Sequence, residues 1–359
     1  MSDRVHLTGL VVEPGRHTYP QPELAEALRR RLEGLSGVDS IRQMVGFVYA
    51  HSTITQRHIE RPLPELERRS DWYRIVNEAT FDLARRALAR LVEARGDPGS
   101  IDGLVVVSSS FAGFPSLGRR LQSALGIGLD AACYDLAGLG CAGPTHGLHL
   151  AHMLLGSGRR RVAMVCADAL ATHGESRVHH GPPSMSQLVA HCLASDGAAA
   201  VLVEREPSAP AVLSWGPAEL RSRLWPDTLG ENDFTASADG QPFISVGKGI
   251  RTRLRDELLP LLEGVDPAST LFHPGGAALM KILGEACPPL QPTLDVSSAV
   301  LRDHGNIGSA SVLWVLDRAL RQHLRLGPVL RLVALGPGIV STMLSVSEVR
   351  GPASGAGDG

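Results

Sequence analysis

The sequence predicts an α/β layered fold built from two similar halves. Three observations carry that prediction. Short apolar runs at residues 104–107, 162–166 and 198–203 have strand length and stand between polar or glycine-rich punctuation. Longer segments of helical period separate them, and strands alternating with helices build layered α/β domains. The same rhythm returns after a proline-bearing stretch, Pro207 to Pro217, which places the halves at residues 1–207 and 208–350, with 351–359 as a flexible tail.

In order along the chain, residues 22–35 form an expected helix with Leu24, Ala27, Leu28, Leu32 and Leu35 as its apolar stripe. Residues 72–93 repeat that pattern through Ile75, Ala79, Leu83, Ala87 and Leu91. The run 104–107 ends in Ser108, Ser109 and Ser110, as a buried strand does when its carboxyl end opens into a polar loop. Pro115 can start the next helix and Gly126 can end it. Residues 133–136 and 162–166 read as further buried strands around a helical segment, 141–155, introduced by Gly138 and Gly140. Asp196-Gly197 turns the chain into strand 198–203. In the second half, helices are expected at 250–262, 277–283 and 308–320. Strands are expected at 270–272, 329–335 and 339–346, the last two joined by Gly336-Pro337-Gly338.

The 359 residues carry 35 basic and 37 acidic side chains, a net charge of −2, and are 43% hydrophobic. That composition fills a large core and excludes a wholly disordered chain. It offers no basic excess for nucleic acid or acidic lipid. The five cysteines are odd in number and include no CxxC pair, which disfavours a disulfide framework or a structural zinc site. No signal peptide and no apolar run of about 18 residues is present, so a cytoplasmic protein without stable membrane insertion is expected.

Cys141 is the leading nucleophile candidate. Small residues surround it in Gly138-Leu139-Gly140-Cys141-Ala142-Gly143, allowing a tight turn into a helix whose free N–H groups favour a thiolate. The same groups can receive a thioester oxygen. A buried, inert cysteine fits the same spacing. His273 ends a strand and is followed by Pro274, Gly275 and Gly276, a way to hold an imidazole at a ligand, or an ordinary turn. Asn306 lies in His304-Gly305-Asn306-Ile307-Gly308; beside His273 it would supply a second neutral donor to a developing enolate. His146, His149 and His152 share a helical spacing but lack an HExxH motif, so no metal is expected.

Taken in order, these motifs resemble the type III polyketide synthases, the chalcone synthase-like branch of the thiolase superfamily, in a bacterial-type member. The resemblance runs from about His51 to Glu348. It rests on Ser52-Thr53-Ile54 through Arg57, Phe114-Pro115, Gly140-Cys141-Ala142-Gly143, Asp196 to Val201, His273-Pro274-Gly275-Gly276, Gly305-Asn306 and Gly336-Pro337-Gly338. It implies a thiolase-like αβαβα fold with pseudo-duplicated halves. It also implies decarboxylative Claisen condensation, with Cys141 carrying the acyl chain and His273 and Asn306 holding the malonyl thioester. Malonyl-CoA is then a substrate, no cofactor is needed, and cyclisation gives a pyrone or resorcinol-type ring. The alternative is a stand-alone ketosynthase III-like enzyme that condenses once or joins two carrier-bound β-keto chains.

The resemblance also implies a homodimer in which the Phe114-Pro115 loop completes the neighbour's cavity. Ser109, Phe114, His173, Gly308, Gly336, Pro337 and Gly338 are the pocket residues it points to. His173 and Gly308 stand near positions where plant-like members carry small hydroxyl residues, and His179-His180 stand in place of an aromatic gate before Gly181-Pro182. The basic residues that hold coenzyme A phosphates in the family are missing before Ser52, where Arg42 and Arg57 are the nearby cations. Delivery by an acyl carrier protein is therefore an expected alternative to coenzyme A.

Overall fold

The computed structural model describes residues 4–33, 35, 37–68, 71–177, 184–231, 234–236, 242–244, 253–254 and 256–350. The His179-His180 pair, Gly181-Pro182, the Ser245 to Gly249 loop and the 351–359 tail lie outside these residues, as do the side chain of Phe243 and part of the helix expected over 250–262.

Strands come in chain order as β1 (Val5–Pro14), β2 (His17–Pro20), β3 (Gln56–Ile59), β4 (Gly103–Ser108), β5 (Ala132–Ala137), β6 (Arg161–Ala169) and β7 (Asp196–Glu204). They continue as β8 (Leu213–Trp215), β9 (Ala218–Leu224), β10 (Phe234–Ala236), β11 (Pro242–Ile244), β12 (Thr270–Phe272), β13 (Val329–Gly336) and β14 (Val340–Ser347). One sheet has the order β5-β4-β6-β7-β1-β8 and the other β12-β13-β14-β9; β2–β3 and β10–β11 form small ribbons. The first sheet pairs β4 in parallel with β5 and β6, then continues antiparallel through β7 and β1. The second repeats this pattern, with β12 parallel to β13 and β14 and β9 antiparallel beyond. The chain passes from the first sheet to the second at Gly216-Pro217.

The two sheets sandwich a pair of buried helices, Gly143–Gly156 and Ser311–Arg321. Leu148, Ala151 and Leu155 from one and Val312, Leu313, Val315 and Leu316 from the other join Val105, Met164 and Val201 of the first sheet and Leu330, Leu332 and Leu344 of the second in one core. Polar bonds tie the layers across the halves. The Trp314 indole N–H donates to Ala198 O at 3.0 Å, and Thr145 Oγ1 donates to Thr342 Oγ1 at 3.0 Å. Outside the first sheet lies the helix Trp72–Arg95, whose Ala79, Leu83, Ala84 and Ala87 pack on the small residues Ala198 and Ala200 of β7. Outside the second lie Ala277–Ala286 and the side chains of Leu254, Leu258 and Leu262, packed on Phe272, Val333 and Met343. No helix among the described residues is long and apolar enough to cross a membrane.

Two sequence expectations change. Residues 133–136 do form a strand, but β5 is the sheet's edge rather than a buried member, with Tyr134 well exposed. The first residues, read as helix and loop, instead supply β1, which pairs with both β7 and β8. Its burial alternates only briefly, so the period-2 signal was weak. The helix Gln291–His304 also went unread because Pro288, Pro289 and Pro292 look like loop punctuation; Pro292 sits in the first turn, where a missing N–H costs nothing.

Asp196 links this frame to its surface elements. Its carboxylate accepts from Glu60 N (2.8 Å), Ala171 N (2.7 Å) and Thr172 N (3.1 Å), and from the Thr172 hydroxyl. These donors come from the end of β3 and the start of the helix Leu170–Arg177. Leaving such buried donors unsatisfied costs ~1–3 kcal/mol each. Asp196→Ala is therefore expected to lower the unfolding free energy by at least ~3 kcal/mol, read from the urea midpoint at constant m-value.

Candidate active site

Three loop ends converge between the halves. Cys141 lies in the turn Gly140–Ala142 that opens the buried helix Gly143–Gly156. His273 directly follows β12, its backbone N–H donating to Val333 O at 2.8 Å, so the imidazole is carried by the sheet. Asn306 precedes the helix Ser311–Arg321 and is pinned on both sides of its backbone: its N–H donates to Leu193 O and its carbonyl accepts from Ser195 N, each at 2.8 Å.

The Asn306 side-chain oxygen is the common point. Cys141 Sγ lies 3.9 Å from it and His273 Nε2 lies 3.5 Å from it. The same oxygen accepts from Gly308 N at 3.0 Å and from the Ser311 hydroxyl at 3.2 Å. Those two donors fix the amide, so its Nδ2 protons are the ones left for a bound carbonyl. His273 Nδ1 is buried without a hydrogen-bond partner among the described residues.

The glycines around Cys141 answer to close packing. Gly140 has φ of +50°, and a Cβ there would lie 2.5 Å from Pro337 Cδ. Gly336 faces Ala142 and the carbonyl of Leu139 as closely, so the Gly336-Pro337-Gly338 turn is a lid on the nucleophile turn. Ser109 Oγ accepts from Gly140 N at 3.0 Å and thereby also holds that turn.

Burial pushes the Cys141 thiol up to about 12, and the nearby Asp168 carboxylate pushes in the same direction. Burial brings the His273 imidazole down to about 4, against a small opposing effect of Asn306. The helix start therefore does not by itself give the thiolate that the sequence suggested. Neither group ionises favourably alone in this dry site; the opposite charge of the other is what each needs.

The other anticipated residues separate into distinct places. Phe114 is 98% exposed on a cis Phe114-Pro115 peptide, with Arg120 bonded to both carbonyls of that pair. His173 is buried on the helix Leu170–Arg177 and meets the Trp72 ring edge-on at 5.5 Å. Gly308 has φ of +58°, and a Cβ there would fall 2.6 Å from Asp168 Oδ2 and 2.8 Å from Leu170 Cδ1. Arg57, a candidate phosphate contact, is wholly buried: it bonds Gln21 Oε1 at 2.9 Å and Ala194 O at 2.8 Å and faces Glu175 at 3.7 Å. It braces the strand end against which Asn306 is bonded and is not available to a phosphate.

Asp168 and Ser311 were not singled out from the sequence. The signal for Asp168 was present as one acid at the end of the otherwise apolar run of β6.

A family model described as FAE1/Type III polyketide synthase-like protein matches residues 63–211. Over 348 residues the chain is 30% identical to 1,3,6,8-tetrahydroxynaphthalene synthase of Streptomyces peucetius subsp. caesius, covering 90% of this chain and 87% of that protein. The chain belongs to the type III polyketide synthase family. Among solved structures, CsyB complexed with CoA-SH superposes with a TM-score of 0.82 at 22% identity, covering 96% of this chain and 100% of that one. A type III pentaketide synthase from Neurospora crassa does so with a TM-score of 0.76 at 21% identity, covering 96% and 99%. The type III polyketide synthase expected from the motifs is thus the family found, and with it the layered fold and a condensing acyltransferase.

If His273 supplies the charge that Cys141 needs, His273→Gln should move the thiol's ionisation to higher pH. Alkylation of Cys141 by iodoacetamide at pH 7, followed by peptide mass analysis, is expected to slow at least ~10-fold, because each unit of pKa is a tenfold change in thiolate. An unchanged alkylation profile would show that His273 does not stabilise the thiolate.

Proposed function

We propose that this type III polyketide synthase builds an aromatic or pyrone-type product by repeated decarboxylative condensation on Cys141. The observation that carries this reading is the shared Asn306 oxygen, which brings a thiol, an imidazole and a carboxamide from three elements to one buried point. Cys141, activated by proton transfer to His273, attacks the starter thioester and releases the carrier thiol. Covalent capture splits one difficult transfer into two easier ones. A malonyl thioester then binds with its carbonyl against His273 Nε2–H and Asn306 Nδ2–H. Loss of carbon dioxide leaves an enolate whose charge those two donors receive. The enolate carbon attacks the acyl–Cys141 carbonyl, forming the new carbon–carbon bond and expelling the cysteine thiolate. The Cys141 N–H would receive the oxyanion of that step, since the neighbouring Gly140 and Ala142 N–H groups already donate to Ser109 Oγ and Leu139 O.

In this reading malonyl-CoA is the extender and no cofactor takes part. The starter arrives on coenzyme A or on an acyl carrier protein. Burial of Arg57 leaves the exposed Arg42 as the nearby cation able to meet a coenzyme A phosphate. The working form is a homodimer. An almost fully exposed phenylalanine on a loop held by Arg120 is what a subunit contact would bury, and covering it would gain ~2 kcal/mol per side chain. Ser109, His173, Gly308 and the Gly336 to Gly338 turn shape the cavity around the growing chain.

Cys141→Ala tests the division of labour. It should abolish chain condensation while carbon dioxide release from malonyl-CoA survives through His273 and Asn306. Asn306→Ala should cut decarboxylation by at least ~100-fold, the usual cost of one such donor. Condensation that persists in Cys141→Ala would exclude the acyl-cysteine route. Phe114→Ser should weaken dimerisation, read by sedimentation equilibrium or light scattering at declining concentration.

A further inference from the structure

We propose that Asp168 is the positioning residue of this reaction, one carboxylate that sets the register between the Cys141 turn and the Asn306 loop. The inference rests on the condensation proposed above. Asp168 ends β6, a central strand of the first sheet, and is wholly buried.

Its two oxygens work in opposite directions. Oδ1 accepts from Ser109 N at 2.7 Å, Ser110 N at 3.0 Å and the Ser108 hydroxyl at 3.3 Å. This gathers the loop that leaves β4, and Ser109 Oγ passes the constraint on by accepting from Gly140 N. Oδ2 accepts from Ser309 N at 2.8 Å. That fixes the loop in which Gly308 N holds the Asn306 oxygen. One side chain from the first half therefore reaches the nucleophile turn through one relay and the second half's amide through another. Gly308 follows from the same arrangement: the space a side chain would take there is filled by the carboxylate. Its glycine is a requirement of the clamp as well as a feature of the cavity wall.

A charge beside a thiol that must ionise is a cost, since burial raises the thiol pKa of both Cys141 and Cys166 and Asp168 pushes each in the same direction. Packing alone would be served as well by a neutral side chain. Four donors aimed at two oxygens explain why an acid stands there. Burial raises its own pKa, and the N–H groups of Ser309, Ser109 and Ser110 oppose that rise.

Asn cannot replace it, because its NH2 must face N–H donors on one side or the other, so one of the two loops is released. The decisive experiment measures three rates in wild type and Asp168→Asn: acylation of Cys141 by an acyl-CoA, decarboxylation of malonyl-CoA, and condensation. If Asp168 sets the register, each half-reaction stays within about tenfold of wild type while condensation falls about 100-fold, the scale of a misplacement near 1 Å. Alkylation of Cys141, followed by peptide mass with the partly exposed Cys287 as an internal comparison, should also move to lower pH as the negative charge is removed. Ser109→Ala breaks the relay to Gly140 without altering charge. It should lower condensation at least ~10-fold with no shift in the alkylation profile, and it decides the matter should Asp168→Asn fail to fold. The inference is overturned if folded Asp168→Asn loses all three rates in parallel, or if condensation is retained in Ser109→Ala. Wild-type protein lacking both half-reactions would instead refute the condensing activity itself.

Discussion

The carboxamide oxygen of Asn306 is the point on which the site depends. It is the contact shared by a thiol from the first half and an imidazole from the second, and it is held by a backbone N–H and a hydroxyl of its own loop. Such a point exists only if two helix starts meet back to back between two sheets. The duplicated layering provides this: the helix after Cys141 and the helix after Asn306 are the two members of the central layer. Cross-half bonds from Trp314 and Thr145 resist any sliding of one half on the other. Tight turns then follow from crowding, as the approach of Pro337 to Gly140 illustrates.

Reactivity and burial pull against each other here. A dry site strengthens the donors that receive enolate charge but penalises the thiolate that must form first. In the proposed mechanism, proton transfer from Cys141 to His273 would resolve the conflict, since it creates two opposite charges that compensate one another. Among the described residues no lysine or arginine bonds the Asn306 oxygen; in the proposed mechanism a fixed cation there would hold the thiolate but also bind the malonyl carboxylate that has to depart.

Much of this was legible in the sequence because the chemistry sits at element boundaries, where composition changes sharply. Cys141, His273 and Asn306 each stand beside glycines at the entry to a helix or the exit of a strand, and the strand segments 104–107, 162–166 and 198–203 are continuous apolar runs. What could not be read is what depends on distant partners. Arg57 read as a cation near the missing coenzyme A clamp, and only its bonds to Gln21 and Ala194 reveal a structural brace. Gly308 read as a pocket residue; its neighbour Asp168 is 140 positions away in the chain, and nothing in the sequence around Gly308 points to it. The β1 strand was missed for the same reason, since its pairing with β7 and β8 decides its conformation more than its own pattern does.

The central claim is that a polyketide grows on Cys141 within the pocket closed by His273 and Asn306. Its most direct test is intact-protein and peptide mass spectrometry of the enzyme quenched during turnover with a starter thioester and malonyl-CoA. The account predicts a series of adducts on the Cys141 peptide that increase by successive two-carbon ketide units. Adducts confined to another residue, or a Cys141 adduct that never lengthens while product accumulates, would contradict it.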